Sequence, residues 1–236
     1  MGLELYARIE EYLDFEDEVR RLHKEFLGLL FKKKPNTVLD IGCGQGAFLE
    51  HLKFNDVEAF GIDLSVEQIK ICQNKGLNVV CMPLEKVSQT FDCATAIFDV
   101  VNYIPKKELQ NFFSQANVVL HQGGYFIFDV NSLFGFEEVA QGSLTLNLED
   151  KFIAIDATFE KNQLKTDITL FSQTQGDLFT KEYDSIQQYY HSIEALKKAL
   201  KEASFDVEEI INFNLHGFDE TDKLIFVCKK INKGFP

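Results

Sequence analysis

The sequence predicts an α/β fold: a doubly wound, mostly parallel seven-stranded sheet with N-terminal helices and a small antiparallel β insertion. Three observations predict it. Val38-Leu-Asp-Ile-Gly-Cys-Gly-Gln-Gly-Ala-Phe-Leu49 passes from a β-branched apolar run through three glycines into a helical pattern, which reads as strand, tight turn and helix start. Apolar runs and amphipathic stretches then alternate to about residue 131 and again after 191. Between 132 and 190 the hydrophobic period changes to two, as in an antiparallel meander with one face on a core.

Taken in order, residues 3–31 place Leu5, Ile9, Tyr12, Leu13, Val19, Leu22, Phe26, Leu29 and Leu30 at helical spacing, so 1–34 forms a helical cap that Pro35 and Asn36 end. Thr37–Ile41 is the first strand and Gly46–Lys53 the first helix after it. Val57–Ile62 is the second strand. Ser65 then supplies an N-cap for a helix to about Lys75, and Gly76 sits where a C-cap glycine belongs. Leu77–Met82 is the third strand. Phe91–Phe98, almost free of charge, suits a central parallel strand covered on both faces. Pro105 opens a helix to about Leu120, and Gly123-Gly124 turn the chain into strand Tyr125–Val130. The insertion, 132–190, carries strands over Phe152–Glu160, Leu164–Phe171 and Leu178–Tyr190, with turns at Lys161-Asn162 and Gln175-Gly176-Asp177. Helix Ile193–Ala203, capped by Ser192, and strands Phe205–Asn214 and Leu224–Lys229 complete the sheet.

The chemistry concentrates at the glycine turn. Gly42, Gly44 and Gly46 let main-chain N–H groups approach a ligand, and the helix start adds unpaired donors. Asp40, at the strand end, would repel a pyrophosphate but suits a ligand carrying an ammonium and a sulfonium; S-adenosylmethionine (SAM) is such a ligand. Asp63 ends the second strand, 17 residues past Gly46, close to the spacing of an acid that accepts a ribose diol. Leu64 would pack on the adenine.

On Val38-Leu-Asp-Ile-Gly-Cys-Gly-Gln-Gly46, Gly61-Ile-Asp63, Phe91-Asp92 and Gly123-Gly124 the chain resembles the class I (Rossmann-like) SAM-dependent methyltransferases over most of its length. The resemblance implies one methyltransferase domain over 1–236 and SAM as cofactor, with S-adenosylhomocysteine as product. It implies a cofactor site at Asp40, Gly42, Cys43, Gly44, Gly46, Asp63, Leu64 and the main chain at Phe98. It also implies an N-terminal segment folded over the cofactor, where Tyr6 or Tyr12 would touch it. An acid that binds the adenine amino group is usual after the third strand. Pro83 stands there, and Leu84 or Glu85 takes its place in the expected set. The segment after Phe98 faces the transferred methyl, making Asn102 and Tyr103 candidates for the acceptor pocket. Tyr103, Asp129 and His191 are the candidate catalytic residues. The insertion, placed after strand five at the carboxyl edge, reads as a substrate lid or a dimerising ribbon. The acceptor is a small molecule bearing a nitrogen or oxygen. An NAD-dependent oxidoreductase, or a SAM-binding protein without catalysis, is the alternative reading.

Bulk composition narrows the partners. The 236 residues are 45% hydrophobic with 23 Phe and no Trp, enough for a Phe-rich core. A net charge of −13 with no Lys/Arg stripe opposes nucleic-acid binding. Five scattered cysteines without a C-x-x-C pair read as reduced thiols of a cytoplasmic protein, and no metal site is expected. No apolar run is long enough for a membrane span, and no leader segment is expected.

Overall fold

The computed structural model of the protein describes residues 2–232. The chain forms α1 (Leu3–Ile9), α2 (Glu16–Lys33), β1 (Thr37–Ile41), α3 (Ala47–Phe54), β2 (Glu58–Asp63), α4 (Val66–Asn74), β3 (Val79–Cys81), β4 (Phe91–Ala96), α5 (Leu109–Val118) and β5 (Leu120–Asn131). There follow β6 (Gly142–Asn147), β7 (Lys151–Glu160), β8 (Gln163–Gln173), β9 (Phe179–Tyr189), α6 (Ile193–Glu202), β10 (Phe205–Phe213) and β11 (Lys223–Lys230). One sheet has seven strands in the order β10-β11-β5-β4-β1-β2-β3; β6 to β9 form a second, antiparallel sheet. Strands β1 to β5 pair in parallel, while β11 runs antiparallel between β5 and β10.

Alternation along each central strand builds a core on both faces. Leu39, Ala94, Ala96, Phe126 and Phe128 meet Phe112, Phe113 and Ala116 of α5 and Leu196 and Leu200 of α6. Their neighbours Val38, Cys93, Ile127 and Ile225 meet Leu22, Phe26 and Leu30 of α2 and Phe48, Leu49 and Leu52 of α3. Burial on both faces is why these strands read as near-continuous apolar runs. A third, smaller core joins α1 to the insertion: Leu5 and Ile9 pack on Ile153, Ile168, Leu170 and Ile186.

Among the boundaries that differ from the sequence expectation, four do so for a physical reason. Strand β4 ends at Ala96, because Phe98 and Asp99 adopt positive φ (61° and 66°) and lead the chain out of the sheet. Strand β5 starts at Leu120, which already pairs with Phe91 before the glycine turn; pairing resumes at Tyr125. Helix α5 starts at Leu109, after a single 3₁₀ turn over Lys106–Glu108. The insertion has four strands, since exposed Gly142–Asn147 adds to β7 as an edge.

Candidate functional site

The glycine turn is held by the strand beside it. Gly42 and Cys43 donate their N–H groups to the Ile62 carbonyl at 2.8 and 3.0 Å. Gly44 donates to Asp63 Oδ2 at 3.0 Å, and Ser65 N–H donates to Asp63 Oδ1 at 2.8 Å. Asp63 thus ties the turn. Asp40 is buried and instead accepts the Thr95 hydroxyl at 2.8 Å, across the β1–β4 register. Burial pushes the Asp40 carboxyl up to about 7; the nearby charge of Asp63 acts in the same direction and Thr95 opposes it. Of the three glycines, Gly42 (φ 72°) packs against Val100 and Gly46 (φ 80°) against Leu77 and Cys72, so a side chain there would clash. A Cβ on Gly44 (φ 52°) would meet nothing within 4 Å, so this glycine faces open space. Leu64 is 51% exposed beside Asp63. Leu84 is buried in the core under a 3₁₀ turn, and Glu85 is exposed.

The end of β4 is bound to a buried ionic cluster. Asp129 accepts the N–H of Phe98 at 2.8 Å and of Asp99 at 3.3 Å. The Lys223 ammonium donates to Asp129 at 2.9 Å, to Asn131 at 3.1 Å and to Asp99. Burial alone would lower the Lys223 pKa, but Asp129 and Asp99 hold it above the ordinary lysine value. Burial pushes Asp129 up to about 6, which leaves it ionised at neutral pH. Positive φ at a bulky residue costs on the order of 1–3 kcal/mol, and these bonds hold Phe98 and Asp99 in it. Beyond them, a 3₁₀ turn over Val100–Tyr103 carries the buried Asn102. Its side chain accepts the Asn131 N–H at 3.0 Å and donates to the Tyr189 carbonyl at 2.9 Å, joining β5 to β9.

The N-terminal cap closes over this edge. Glu4 accepts the Ser65 hydroxyl and the N–H groups of Val66 and Glu67 at 2.8–3.2 Å, where the α4 dipole favours an anion. Arg8 forms a bidentate pair with Glu182 of β9, and Gly2 N–H donates to the Ser185 carbonyl. Tyr6 lies near Glu10, Tyr103 and Asp99, and burial followed by these charges raises its pKa. Tyr12 instead packs at the insertion beside Lys151.

A family profile described as a methyltransferase domain matches residues 38–124, from β1 through the turn into β5. The chain carries a methyltransferase domain and has the Rossmann-like fold of the SAM-dependent methyltransferases. A Geobacillus sp. (strain WCH70) protein that carries a methyltransferase name is 26% identical over 213 residues, covering 84% of this chain and 86% of the relative. Among solved structures, a SAM-dependent methyltransferase from Clostridium acetobutylicum ATCC 824 superposes with a TM-score of 0.78 at 20% identity, covering 97% of both chains. The sugar N-methyltransferase KedS8 from Streptoalloteichus sp ATCC 53650 gives a TM-score of 0.72 at 16% identity, covering 97% of this chain and 92% of its own. The solved structures show the fold, and the methyltransferase profile across the glycine turn speaks for methyl transfer against the oxidoreductase alternative. Among the described residues no helix is long and apolar enough to cross a membrane.

The site fits the methyltransferase's cofactor on its own terms. Three carboxylates, Asp40, Glu10 and Asp63, converge around an open glycine, each with its pKa raised first by burial. None has an ion-pair partner among the described residues, which suits a cationic ligand bearing a diol. Gln68, on α4 in the same place, is 7% exposed and its amide oxygen has no partner.

Two of the three expected catalytic residues are already engaged. Asp129 gives its carboxylate to Lys223 and to two backbone amides, so it is a positioning group for the Phe98 turn and not a free base. His191 is 3% exposed and its Nε2–H donates to the Ile104 carbonyl at 3.0 Å; burial lowers its pKa, so the ring is neutral and structural. Only Tyr103 of the three lies beside Tyr6, Asp99 and Glu10 at the mouth of the site, and burial first, then these acids, raises its pKa. The sequence reading missed Lys223, Asp99 and Glu10. A lone lysine opening a strand, or a glutamate on the polar side of a helical pattern, carries no motif, and only the tertiary register brings them here.

Proposed function

We propose that the chain transfers the SAM methyl group to a nitrogen, or secondarily an oxygen, of a small molecule held between the carboxyl edge of the sheet and the four-stranded insertion. The observation that carries this is the Asn102 clamp: it fixes β9 against the turn after β4, so the insertion overhangs that turn and Tyr103. SAM when bound supplies its own leaving group, and the protein has to orient the acceptor rather than create an electrophile. Asp63 takes the ribose hydroxyls, the turn of Gly42, Cys43, Gly44 and Gly46 meets the amino-acid part, Leu64 covers the adenine, and the main chain at Leu84 and Phe98 borders it. Glu85 is less well placed, being exposed on its turn. Tyr103 and Tyr6 line the acceptor side. With Asp129 and His191 engaged and the tyrosines neutral, no strong base faces the acceptor. That favours an amine, which attacks as the free base and loses its proton to water afterwards, over an unactivated hydroxyl. The likeness to KedS8, named a sugar N-methyltransferase, supports the same choice. In this reading the protein is cytoplasmic, and the exposed edge of β6 is the surface through which a homodimer would pair.

Labelled SAM with matched panels of small amines and alcohols tests the proposal. Label is expected in amines, with rates rising as pH passes the amine's own pKa. Label confined to alcohols would overturn it.

Asp40 adds a second test. Burial pushes the folded Asp40 carboxyl up to about 7, against the ordinary 3.8 of an unfolded chain. Between those values the unfolded chain holds fewer protons, so this group makes the free protein less stable as pH rises. A cationic ligand needs the ionised form. SAM affinity is therefore expected to fall as pH drops from 8 to 6, by up to about tenfold, since each pH unit below the pKa costs a factor of ten in ionised fraction. Asp40→Asn should flatten that dependence, as read by titration calorimetry across the range.

A further inference from the structure

We propose that Glu10, delivered by the N-terminal cap, is a ligand for the ammonium of the cofactor's amino-acid part, together with the orphan amide oxygen of Gln68. The inference rests on SAM occupying the glycine-turn site. Glu10 begins the 3₁₀ turn that follows α1. Its Oε2 accepts two amide donors, Gln45 Nε2 at 3.1 Å and Gln68 Nε2 at 2.9 Å. Gln45 follows Gly44 directly, and Gln68 stands in the first turn of the helix that Asp63 and Ser65 open. The carboxylate is therefore pinned between the two elements that frame the cofactor site.

Both amides take the same oxygen. Oε1 of Glu10 accepts no hydrogen bond among the described residues, and Oε1 of Gln68 is buried without a partner. A buried acceptor left unpaired costs roughly 1–3 kcal/mol, which a fold tolerates where a ligand supplies the donor. Gln68 Nε2 binds Glu10, so the orphan Gln68 oxygen and the unbonded, solvent-reachable Glu10 oxygen share one neighbourhood, and a group with several N–H donors and a positive charge would serve both. An ammonium has three donors; a ribose hydroxyl has one, and Asp63 already stands where the diol is expected. Gln45 also donates to the Ala7 carbonyl at 3.4 Å, so the cap that carries Glu10 is registered on the glycine turn itself. The cap thereby becomes part of the binding site and not only a cover for it.

The test is calorimetric binding of three probes: SAM, S-adenosylhomocysteine and 5′-methylthioadenosine, which lacks the ammonium. Glu10→Gln is expected to weaken the first two by roughly tenfold or more while leaving the third unchanged, because a charge-assisted hydrogen bond is lost only where an ammonium is present. Gln68→Met should reproduce the selectivity if Glu10→Gln melts too low to assay. Glu11→Gln, which removes an exposed charge from the same turn, should change none of the three. Equal losses for all three probes would make Glu10 a latch for the cap and overturn the proposal, as would no loss at all. Wild-type protein that binds none of the probes would sink the SAM assignment itself, a distinct result.

Discussion

Lys223→Ala is expected to lower stability by about 3–5 kcal/mol, the usual cost of leaving one side of a buried ion pair uncompensated. Lys223 is 2% exposed and Asp129 0%, so bulk water does not reach the carboxylate to replace the donor and charge that are lost. In a chain of this size that corresponds to a fall in melting temperature on the order of 10 °C. Asp129→Asn in the Lys223→Ala background should recover part of the loss, because the orphaned charge goes with it. A double-mutant cycle in urea would give a coupling energy above about 1 kcal/mol if the two residues act as a unit. Additive losses would mean that the cluster is not holding the Phe98 turn. The effect should also reach the site, since Asp129 is what the Phe98 and Asp99 amides donate to among the described residues.

Asp63→Ala is expected to reduce SAM affinity by at least about a hundredfold, the combined effect of losing a bidentate charge-assisted contact and two backbone anchors. Gly44 and Ser65 both donate to this carboxylate, so its removal frees the turn as well as the ribose contact. Asp63→Asn separates the two. An amide can still accept one N–H, so the turn should stay closer to its native form while the ligand contact weakens. Affinity for Asp63→Asn should therefore lie between wild type and Asp63→Ala. Equal affinities for the two variants would show that the turn, and not the diol contact, sets binding. Thermal melts of the free proteins are expected to drop for Asp63→Ala by no more than a few degrees, because the main sheet does not depend on it.

The fold was legible where local chemistry and tertiary demand agree. Gly42 and Gly46 need positive φ and close packing at the same positions, and glycine declares both. Ser65 and Ser192 cap their helices as their positions imply. The reading failed where a residue's role is set by a distant partner. Gly142–Asn147 is an exposed edge whose pairing with β7 stabilises it, and its Leu144-Thr-Leu146 alternation is too short, between Gly, Ser and Asn, to announce a strand by itself. Phe98 reads as the end of an apolar strand. Its positive φ is imposed by Asp129 from another strand, so nothing in its neighbours announces it. Asp129 and His191 were chosen as reactive types at a sheet edge, but their partners, Lys223 and the Ile104 carbonyl, are 94 and 87 residues away. Glu10 was hidden for the same reason, since the amides that hold it come from Gln45 and Gln68.

Strand β11 runs antiparallel, so its beginning and not its end reaches the edge where β1 to β5 finish. During synthesis Asp99 and Asp129 therefore leave the ribosome about a hundred residues ahead of Lys223, the cation that balances them. A nascent chain stopped before Lys223 carries two adjoining acids with no counter-charge and an uncovered β5, and it gains a settled reaction centre only as its final strand slots in.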